Sequence, residues 1–386
     1  MSGLLLNPRA PAMLTDLQKK AWDQFAAEDS ATFSDAIGIS TSGSTSGGLG
    51  SIIVLKMSAL ETSAQAVNRR LRASSQDVWG LALPLFHVGG YSIPIRAKLS
   101  GSKVASFEGE WGALKFHRWL EAEGVTLLSL VPTQVFDLVE AGLRSPSSLR
   151  AIVVGGGRLS EELHVKAHAL GWPVLQSYGM TECCSQIATA PVESDGRLLE
   201  VLDHVEVRTD ETSVLSIRSR ALLSARIVFD SDRAPRLEKP VDADGWFKTA
   251  DRVSILRLGG SDGARDILQV LGRDGETVKV MGELVDLARV RALAEATVIR
   301  DERFKELRNR VWVLAVPEAR RENEIVLVVE RPEDRVNPLE KDLLESLGEQ
   351  LAPFEKPTRI FGTRQIPRSS LGKVLSTVLT GQVLGQ

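Results

Sequence analysis

Short apolar runs alternate along the chain with stretches whose apolar positions recur every three or four residues, and that alternation sets the expected fold. Leu60, Ala64, Val67 and Leu71 fall at helical intervals, predicting an amphipathic helix through about Arg72 that opens at the capping-box spacing Ser58-Ala-Leu-Glu61. Val78 to Leu83, Val125 to Val131, Ala151 to Val154 and Pro173 to Gln176 are short enough for buried strands. Between them lie a helical pattern after Pro132 (Val135, Leu138, Val139) and a second one capped by Ser160 and ended by Gly171. Strands alternating with helices require crossover connections and a largely parallel sheet. Val214 to Val228 and Val253 to Leu258 then predict a β-rich section. Beyond Gly272 to Gly275 the pattern becomes separate and compact. It predicts a helix over Val285 to Ala296, strands at Val311 to Val316 and Ile325 to Glu330, a helix over Leu339 to Leu351, and a loop from Gln365 holding Lys373 at the surface. The expected class is therefore α/β. A large domain, residues 1–273, combines mixed and parallel sheets flanked by helices with the β-rich section, and a small α+β domain covers residues 274–386.

Composition narrows the class. At 386 residues, with 43% hydrophobic and 25% charged positions, the chain can bury cores in two or three domains and is neither disordered nor fibrous. Lys plus Arg (47) nearly cancel Asp plus Glu (50), so no global field draws in nucleic acid or an anionic membrane. The two cysteines, Cys183 and Cys184, are adjacent and cannot frame a disulfide scaffold, which fits a reducing compartment. No segment reaches the ~20 apolar residues of a membrane span, and Met1 to Met13 lacks the basic lead-in of a secretory signal. A cytoplasmic protein outside the membrane is the expectation; oligomeric state is left open.

Several segments carry chemistry. Ser40 to Gly50 consists of hydroxyls and glycines apart from Leu49. Its backbone N–H groups and hydroxyls suit a phosphate cradle, with a flexible linker as the alternative. No Gly-Lys-Ser/Thr follows, so it is not a Walker loop. Gly155-Gly-Gly157 follows a strand at the place where ligands bind in such sheets. Tyr178-Gly-Met-Thr-Glu182 sets an aromatic face beside a hydroxyl and a carboxylate, a combination suited to a base and to Mg²⁺ with phosphate oxygens, or else a plain turn. Gly245 to Asp251 and Leu271-Gly-Arg273 can supply an acidic acceptor and a guanidinium, or else a turn and a surface charge. His87 sits among apolar residues, where a lone histidine is ordinarily a core residue. There is neither a Cys/His cluster with metal-ligand spacing nor a Gly-x-Ser-x-Gly elbow.

In their order and spacing, these segments resemble the adenylate-forming superfamily of acyl-CoA synthetases, adenylation domains and luciferases, over about Ser40 to Val378. The resemblance implies that fold, with a small mobile C-terminal domain, and ATP, Mg²⁺ and CoA as the molecules handled. It implies that Thr41, Ser42, Gly43, Ser44 and Thr45 bind the β/γ phosphates, and that Gly155, Gly156 and Gly157 form the adenine-side turn. Gln176, Ser177, Tyr178, Gly179, Thr181 and Glu182 become the central signature, with Thr181 and Glu182 positioning phosphate and Mg²⁺. Asp251 and Arg273 would hold the ribose, and Lys373 would be the adenylation lysine. Within the superfamily, Leu83 to Ile93 and Gln176 to Ile187 look most like the o-succinylbenzoate–CoA ligases of menaquinone synthesis. That implies a small-molecule carboxylic acid as substrate, with His87 at the border of the acyl pocket, Arg96 able to meet a second carboxylate, and Ser185 and Gln186 supplying polar contacts. For Arg96, an ordinary surface arginine is the alternative.

The chain also departs from the pattern. The family's phosphate loop carries a lysine where Leu49 stands, which removes a cation opposite the triphosphate. The hinge position falls on or beside Gly275, which is freer in φ/ψ. Only about forty residues precede the phosphate loop, far fewer than in typical members of that superfamily, and the resemblance then leads one to expect that much of the usual N-terminal subdomain is absent. Leu49 together with the short N-terminus motivates a second reading, a degenerate adenylate-binding protein without turnover. A third is an enzyme that makes the acyl-AMP of another aryl or fatty acid, or loads a carrier protein.

Overall fold

The structure is a computed structural model that describes residues 16–41, 51–157, 159–229, 233–259, 264–273, 276–280, 283–318, 321–331, 338–369 and 372–385. Two compact units divide it. The first takes Met1–Asp210, Leu215–Thr249 and Ser254–Gln269; the second takes Glu211–Val214, Ala250–Val253 and Val270–Gln386.

A six-stranded sheet organises the first unit, in the order Lys103–Ser106, Val78–Leu81, Leu127–Leu130, Ala151–Val154, Val174–Met180, Ser185–Thr189. The first five strands are parallel and the last is antiparallel. Alternation along the strands divides the core. Leu128, Leu130, Ile152, Val154 and Val174 pack with Phe116, Leu120, Val135, Leu138 and Ala167 from helices Ala113–Ala122, Pro132–Glu140 and Glu161–Ala169. Trp79, Leu127, Ala151, Val153 and Leu175 face the other way, onto Val67, Leu71, Ile93 and Ala97 of helices Met57–Leu71 and Val88–Ser100. Both faces are thus covered, as a parallel sheet requires. A second, antiparallel sheet of Ala36–Thr41, Ser51–Lys56, Ala225–Val228 and Arg236–Glu238 packs on Trp22, Phe25 and Phe33.

At the amino ends of the parallel strands, Asp77 gathers the surrounding polar groups. Its carboxylate accepts from Ser74 N at 2.8 Å, Thr126 Oγ1 at 2.8 Å and Arg150 Nε and Nη2 at 2.8 and 2.9 Å. Burial works against its ionised form, but these donors outweigh it and hold the pKa at about 2. A carboxylate depressed in the fold contributes stability that is present above its unfolded pKa, near 4, and is lost as pH falls from there towards 2. The shift corresponds to on the order of 2 kcal/mol. Urea titrations at pH 7 and pH 3 are expected to show that loss in the native sequence, and Asp77→Asn to be less stable at pH 7 with a flatter dependence. An unchanged pH dependence in the variant would contradict this assignment.

The second unit pairs Thr277–Val280 with Glu283–Asp286 as a hairpin, followed by helix Leu287–Arg300. Val311–Glu318 and Glu322–Glu330 are antiparallel, and Arg359–Thr363 adds in parallel. One sheet face packs on helices Leu287–Arg300 and Pro338–Gln350; the other packs Leu314, Val316, Val326 and Val328 on Leu379 and Val383 of helix Ser376–Leu384.

Among the boundaries that differ from the pattern-based expectation, two have a clear cause. Ser58 caps nothing: the helix begins at Met57, straight out of strand Ser51–Lys56, and Lys56 at its cap makes no side-chain bond. Val285 belongs to the hairpin, opposite Val278, and the helix starts two residues later, where the Asp286 carboxylate accepts from Ala288 N and Arg289 N. Among the described residues no helix is long and apolar enough to cross a membrane.

Candidate active site

The carboxyl ends of the parallel strands bring three of the singled-out segments to one edge of the sheet. Val78–Leu81 leads towards His87, Ala151–Val154 into Gly155, and Val174–Met180 into Thr181. The glycine turn is tied in by Gly155 N donating to Leu130 O at 3.1 Å, and Gly156 takes a left-handed φ of +76° that a side chain would strain. A side chain at Gly155 would extend towards the Ser177 hydroxyl, 4.0 Å from its Cβ position. The absence of side chains at Gly155, Gly156 and Gly157 leaves backbone open to a flat ligand.

Strand Val174–Met180 changes partner midway. Gln176 pairs in parallel with Val154, whereas Ser177 and Tyr178 pair antiparallel with Thr189 and Ala188, with a register shift between Tyr178 and Gly179. Gly179 fits because any Cβ there would collide with the Ser185 carbonyl. Thr181–Cys183 form a single 3₁₀ turn, fixed by Leu223 N donating to Glu182 O at 2.8 Å and Cys184 N to Thr181 O at 3.1 Å. The segment is thus the end of a strand followed by a 3₁₀ turn. Thr181 and Glu182 are half-buried, and the Glu182 carboxylate has no cationic partner among the described residues. No group of three or more metal-ligand side chains exists among those residues. A Mg²⁺ ion at Glu182 would therefore take most of its ligands from phosphate and water, the usual habit of that ion, and the donor set fits it.

Beyond this turn, Cys184 and Ser185 both take positive φ (53° and 112°), and Ser63 Oγ donates to the Cys184 carbonyl at 3.1 Å from helix Met57–Leu71. The corner aims Ser185 Oγ at Arg96, whose Nη2 donates to it at 3.3 Å. Arg96 is 1% exposed, so it is not a surface arginine. Its guanidinium lies 5.5 Å over the Trp79 ring, its Nη1 reaches Ser129 Oγ at 3.5 Å, and its Nε has no partner. No carboxylate pairs with it among the described residues. Burial lowers its pKa to about 10, which leaves it cationic at neutral pH. His87 stands at the N-terminus of the same helix, Val88–Ser100, its carbonyl accepting from Tyr91 N. Burial holds His87 down at about 4, so it is a neutral imidazole near pH 7. Gln186 is 4% exposed and bonded to Thr189.

Lys373, Asp251 and Arg273 belong to the second unit. Lys373 is exposed, while its neighbours Ile366 and Val374 are buried in the core under helix Ser376–Leu384. Ser369 N donates to Lys373 O at 2.7 Å, Lys373 N to Ser369 Oγ at 3.2 Å, and Arg368 reaches Gly372 O and Asn309 O. The lysine therefore rides on a braced turn between two buried anchors. Asp251 is half-buried in strand Trp246–Leu258, which begins at a Gly245 turn with φ +82°. Arg273 ends strand Arg265–Arg273, and its side chain lies outside the described residues, as does Gly275. Thr41 closes strand Ala36–Thr41, its hydroxyl donating to Ser51 O at 3.3 Å. Ser42, Gly43, Ser44, Thr45 and Leu49 lie outside the described residues. Ser63, Ser129 and Thr189 join the polar groups here without any mark in the sequence, since a single hydroxyl within an apolar run has no periodicity of its own.

A mainly parallel sheet bearing a glycine turn and a hydroxyl–carboxylate turn at its carboxyl ends has the form of the open α/β sheets that take ligands beyond those ends. The chain belongs to the family of AMP-binding enzymes, whose sequence pattern matches residues 9–212. It is 27% identical over 331 residues to the 2-succinylbenzoate–CoA ligase of Bacillus subtilis (strain 168), covering 80% of this chain and 61% of that protein. To the 2-succinylbenzoate–CoA ligase of Bacillus licheniformis it is 27% identical over 384 residues, 96% of this chain and 75% of the relative. The chain thus spans less than two thirds of the Bacillus subtilis protein. Among solved structures, the o-succinylbenzoate coenzyme A synthetase from Bacillus subtilis in complex with AMP superposes with a TM-score of 0.69 at 25% identity, covering 88% of this chain and 67% of that one. ATP-bound MatB from Rhodopseudomonas palustris, at 22% identity and a TM-score of 0.71 over 90% of this chain and 67% of its own, shares the fold.

Proposed function

We propose that this chain activates an aryl dicarboxylic acid, 2-succinylbenzoate, as its acyl-adenylate and passes the acyl group to the thiol of CoA, in menaquinone synthesis. The observation that carries the reading is Arg96, a buried cation held by two serine hydroxyls and an aromatic ring but, among the described residues, by no carboxylate. A desolvated guanidinium gains most from an anionic partner. A substrate with a second carboxylate, beyond the one that reacts, supplies it. The curated relatives named above point to the same acid.

The chemistry follows from charge. A carboxylate oxygen of the acid attacks the α-phosphorus of ATP and pyrophosphate leaves with the bonding pair; the CoA thiol then loses its proton, its sulfur attacks the acyl carbon, and AMP leaves. Negative charge accumulates between carboxylate and α-phosphate in the first step, where an ammonium such as that of Lys373 stabilises it. Thr181 and Glu182 hold phosphate and Mg²⁺, the Gly155–Gly157 turn and Tyr178 receive the adenine, and Asp251 and Arg273 hold the ribose. His87, neutral at pH 7, borders the acyl group without repelling Arg96. The molecules handled are therefore ATP, Mg²⁺, CoA and a small carboxylic acid. We place the reaction in the cytoplasm, in keeping with two buried cysteines that form no disulfide.

The test is pyrophosphate release from Mg·ATP with 2-succinylbenzoate and a panel of aryl monoacids and fatty acids, with and without CoA, products being read by mass spectrometry. Release that requires 2-succinylbenzoate, with its CoA thioester appearing, is the expected result. Silence across the panel while AMP still binds would favour the non-catalytic adenylate binder that Leu49 suggests, and release with another acid only would reassign the substrate.

A further inference from the structure

Helix Met57–Leu71 grips the backbone on both sides of the Arg96–Ser185 contact. The hydroxyl of Ser63, 1% exposed, donates at 3.1 Å to the carbonyl of Cys184, the residue before Ser185. Nδ2 of Asn68, 8% exposed, donates at 2.8 Å to the carbonyl of Arg96 itself. A carbonyl only accepts, so the carboxamide must present an N–H there. Asn68 Oδ1 is buried without a partner among the described residues, so the fold leaves one polar atom unsatisfied while keeping this bond. The two side chains stand five residues, about 7.5 Å, apart along a single helix.

The groups they hold are weakly placed by their own contacts. Nη2 and Nη1 of Arg96 reach Ser185 Oγ and Ser129 Oγ at 3.3 and 3.5 Å, well beyond the roughly 2.9 Å of a firm N–H···O bond. Bonds that long leave the aim of the guanidinium to the backbones that carry the partners. On the Ser185 side the backbone is strained: Cys184 and Ser185 take successive φ values of 53° and 112°, which residues with side chains keep only where their surroundings enforce it. On the Arg96 side, Pro94 lies inside helix Val88–Ser100 and has no N–H to give the Gly90 carbonyl, so the turn bearing Arg96 is joined less firmly to the turn before it. The Ser100 hydroxyl also donates to the Arg96 carbonyl, at 2.9 Å, but it belongs to the same helix. Asn68 supplies a bond from another one.

We infer that Ser63 and Asn68 are positioning residues for the subsite that meets the second carboxylate: from one helix they fix the two backbones between which Arg96 reaches Ser185, and so set where the guanidinium points. The inference rests on the ligase reading above. Both side chains are buried and act through Arg96, not on the acid.

The experiment measures kcat, KM for 2-succinylbenzoate and KM for ATP in pyrophosphate release, together with thermal midpoints, for wild type, Ser63→Ala, Ser63→Thr and Asn68→Leu, each also combined with Arg96→Met. In Ser63→Ala and Asn68→Leu, KM for the acid is expected to rise about three- to tenfold, the scale of one buried hydrogen bond, with kcat and KM for ATP little changed. Ser63→Thr, which keeps the hydroxyl, stays near wild type. In the Arg96→Met background the same substitutions should cost almost nothing further, because the group they aim has gone. If Asn68→Leu does not fold, the Ser63 variants carry the same comparison. An equal loss in the Arg96→Met background, a parallel rise in KM for ATP, or Ser63→Thr behaving like Ser63→Ala would make these residues part of the packing alone and overturn the inference. A wild-type enzyme that adenylates 2-succinylbenzoate while both variants leave its KM unchanged overturns this inference alone, whereas one that adenylates no acid removes the ligase reading and this inference with it.

Discussion

Lys373→Ala is expected to lower acyl-adenylate formation by about 10²–10³-fold, the scale of removing one group that stabilises charge in a transition state, while thioester formation from supplied acyl-AMP is retained. The two half-reactions separate because charge builds between the carboxylate and the α-phosphate only in the first. In the second, AMP is the leaving group and its phosphorus bond is already made. The fold gives this variant a clean background: Lys373 is exposed on a turn braced by Ser369 and Arg368, with its neighbours Ile366 and Val374 in the core. Removal of its side chain leaves those anchors in place, so the thermal midpoint should hardly move. Pyrophosphate release for the first step, and single-turnover thioester formation from chemically made acyl-AMP for the second, provide the comparison. Equal loss in both would mean that Lys373 acts on something common to the two, such as nucleotide binding, and not on the adenylation transition state.

Arg96→Met carries the second large effect. With the dicarboxylic acid, kcat/KM is expected to fall by about 30-fold or more, since truncating one partner of a buried, hydrogen-bonded charge pair costs upwards of 2 kcal/mol. An aryl monoacid should lose little or gain, because the variant no longer buries an uncompensated cation over Trp79. Arg96→Lys is expected to recover only part of the loss. A lysine has no planar fork with which to reach Ser129, Ser185 and a carboxylate together. The ratio of diacid to monoacid activity is the decisive reading, and a ratio unchanged across all three proteins would show that Arg96 is simply part of the packing.

The architecture was legible wherever one local rule governed it. Leu127 to Leu130 and Ala151 to Val154 are largely apolar on both faces because helices cover both, and the sequence writes that as near-continuous apolar runs, interrupted only at Ser129. Local rules failed where a neighbour decided. The Ser58 cap is not used because a strand feeds directly into the helix, and Val285 is taken from the helix by its partner Val278. Arg96 was the harder case. Within Ser-Ile-Pro-Ile-Arg-Ala-Lys, an arginine reads as solvated, and only Trp79, Ser129 and Ser185, each distant in sequence, make it interior. The chemical segments were visible for the opposite reason: glycines, hydroxyls and a carboxylate stand out by composition. Ser63, which ties the turn down, did not, because its contact depends on the irregular corner at Cys184 and Ser185.

That corner has a consequence for how the protein meets reactive small molecules. Cys183 and Cys184 are both buried beside Glu182, and burial pushes the Cys184 thiol well above its ordinary pKa. The thiolate is the nucleophile in alkylation and in disulfide exchange, so a protonated, water-free thiol is inert to both. Modification of Cys184 must therefore await a fluctuation that breaks the Ser63 bond and exposes the turn. Its alkylation clock counts those openings, and a ligand that grips the turn should slow the clock in proportion to how firmly it holds.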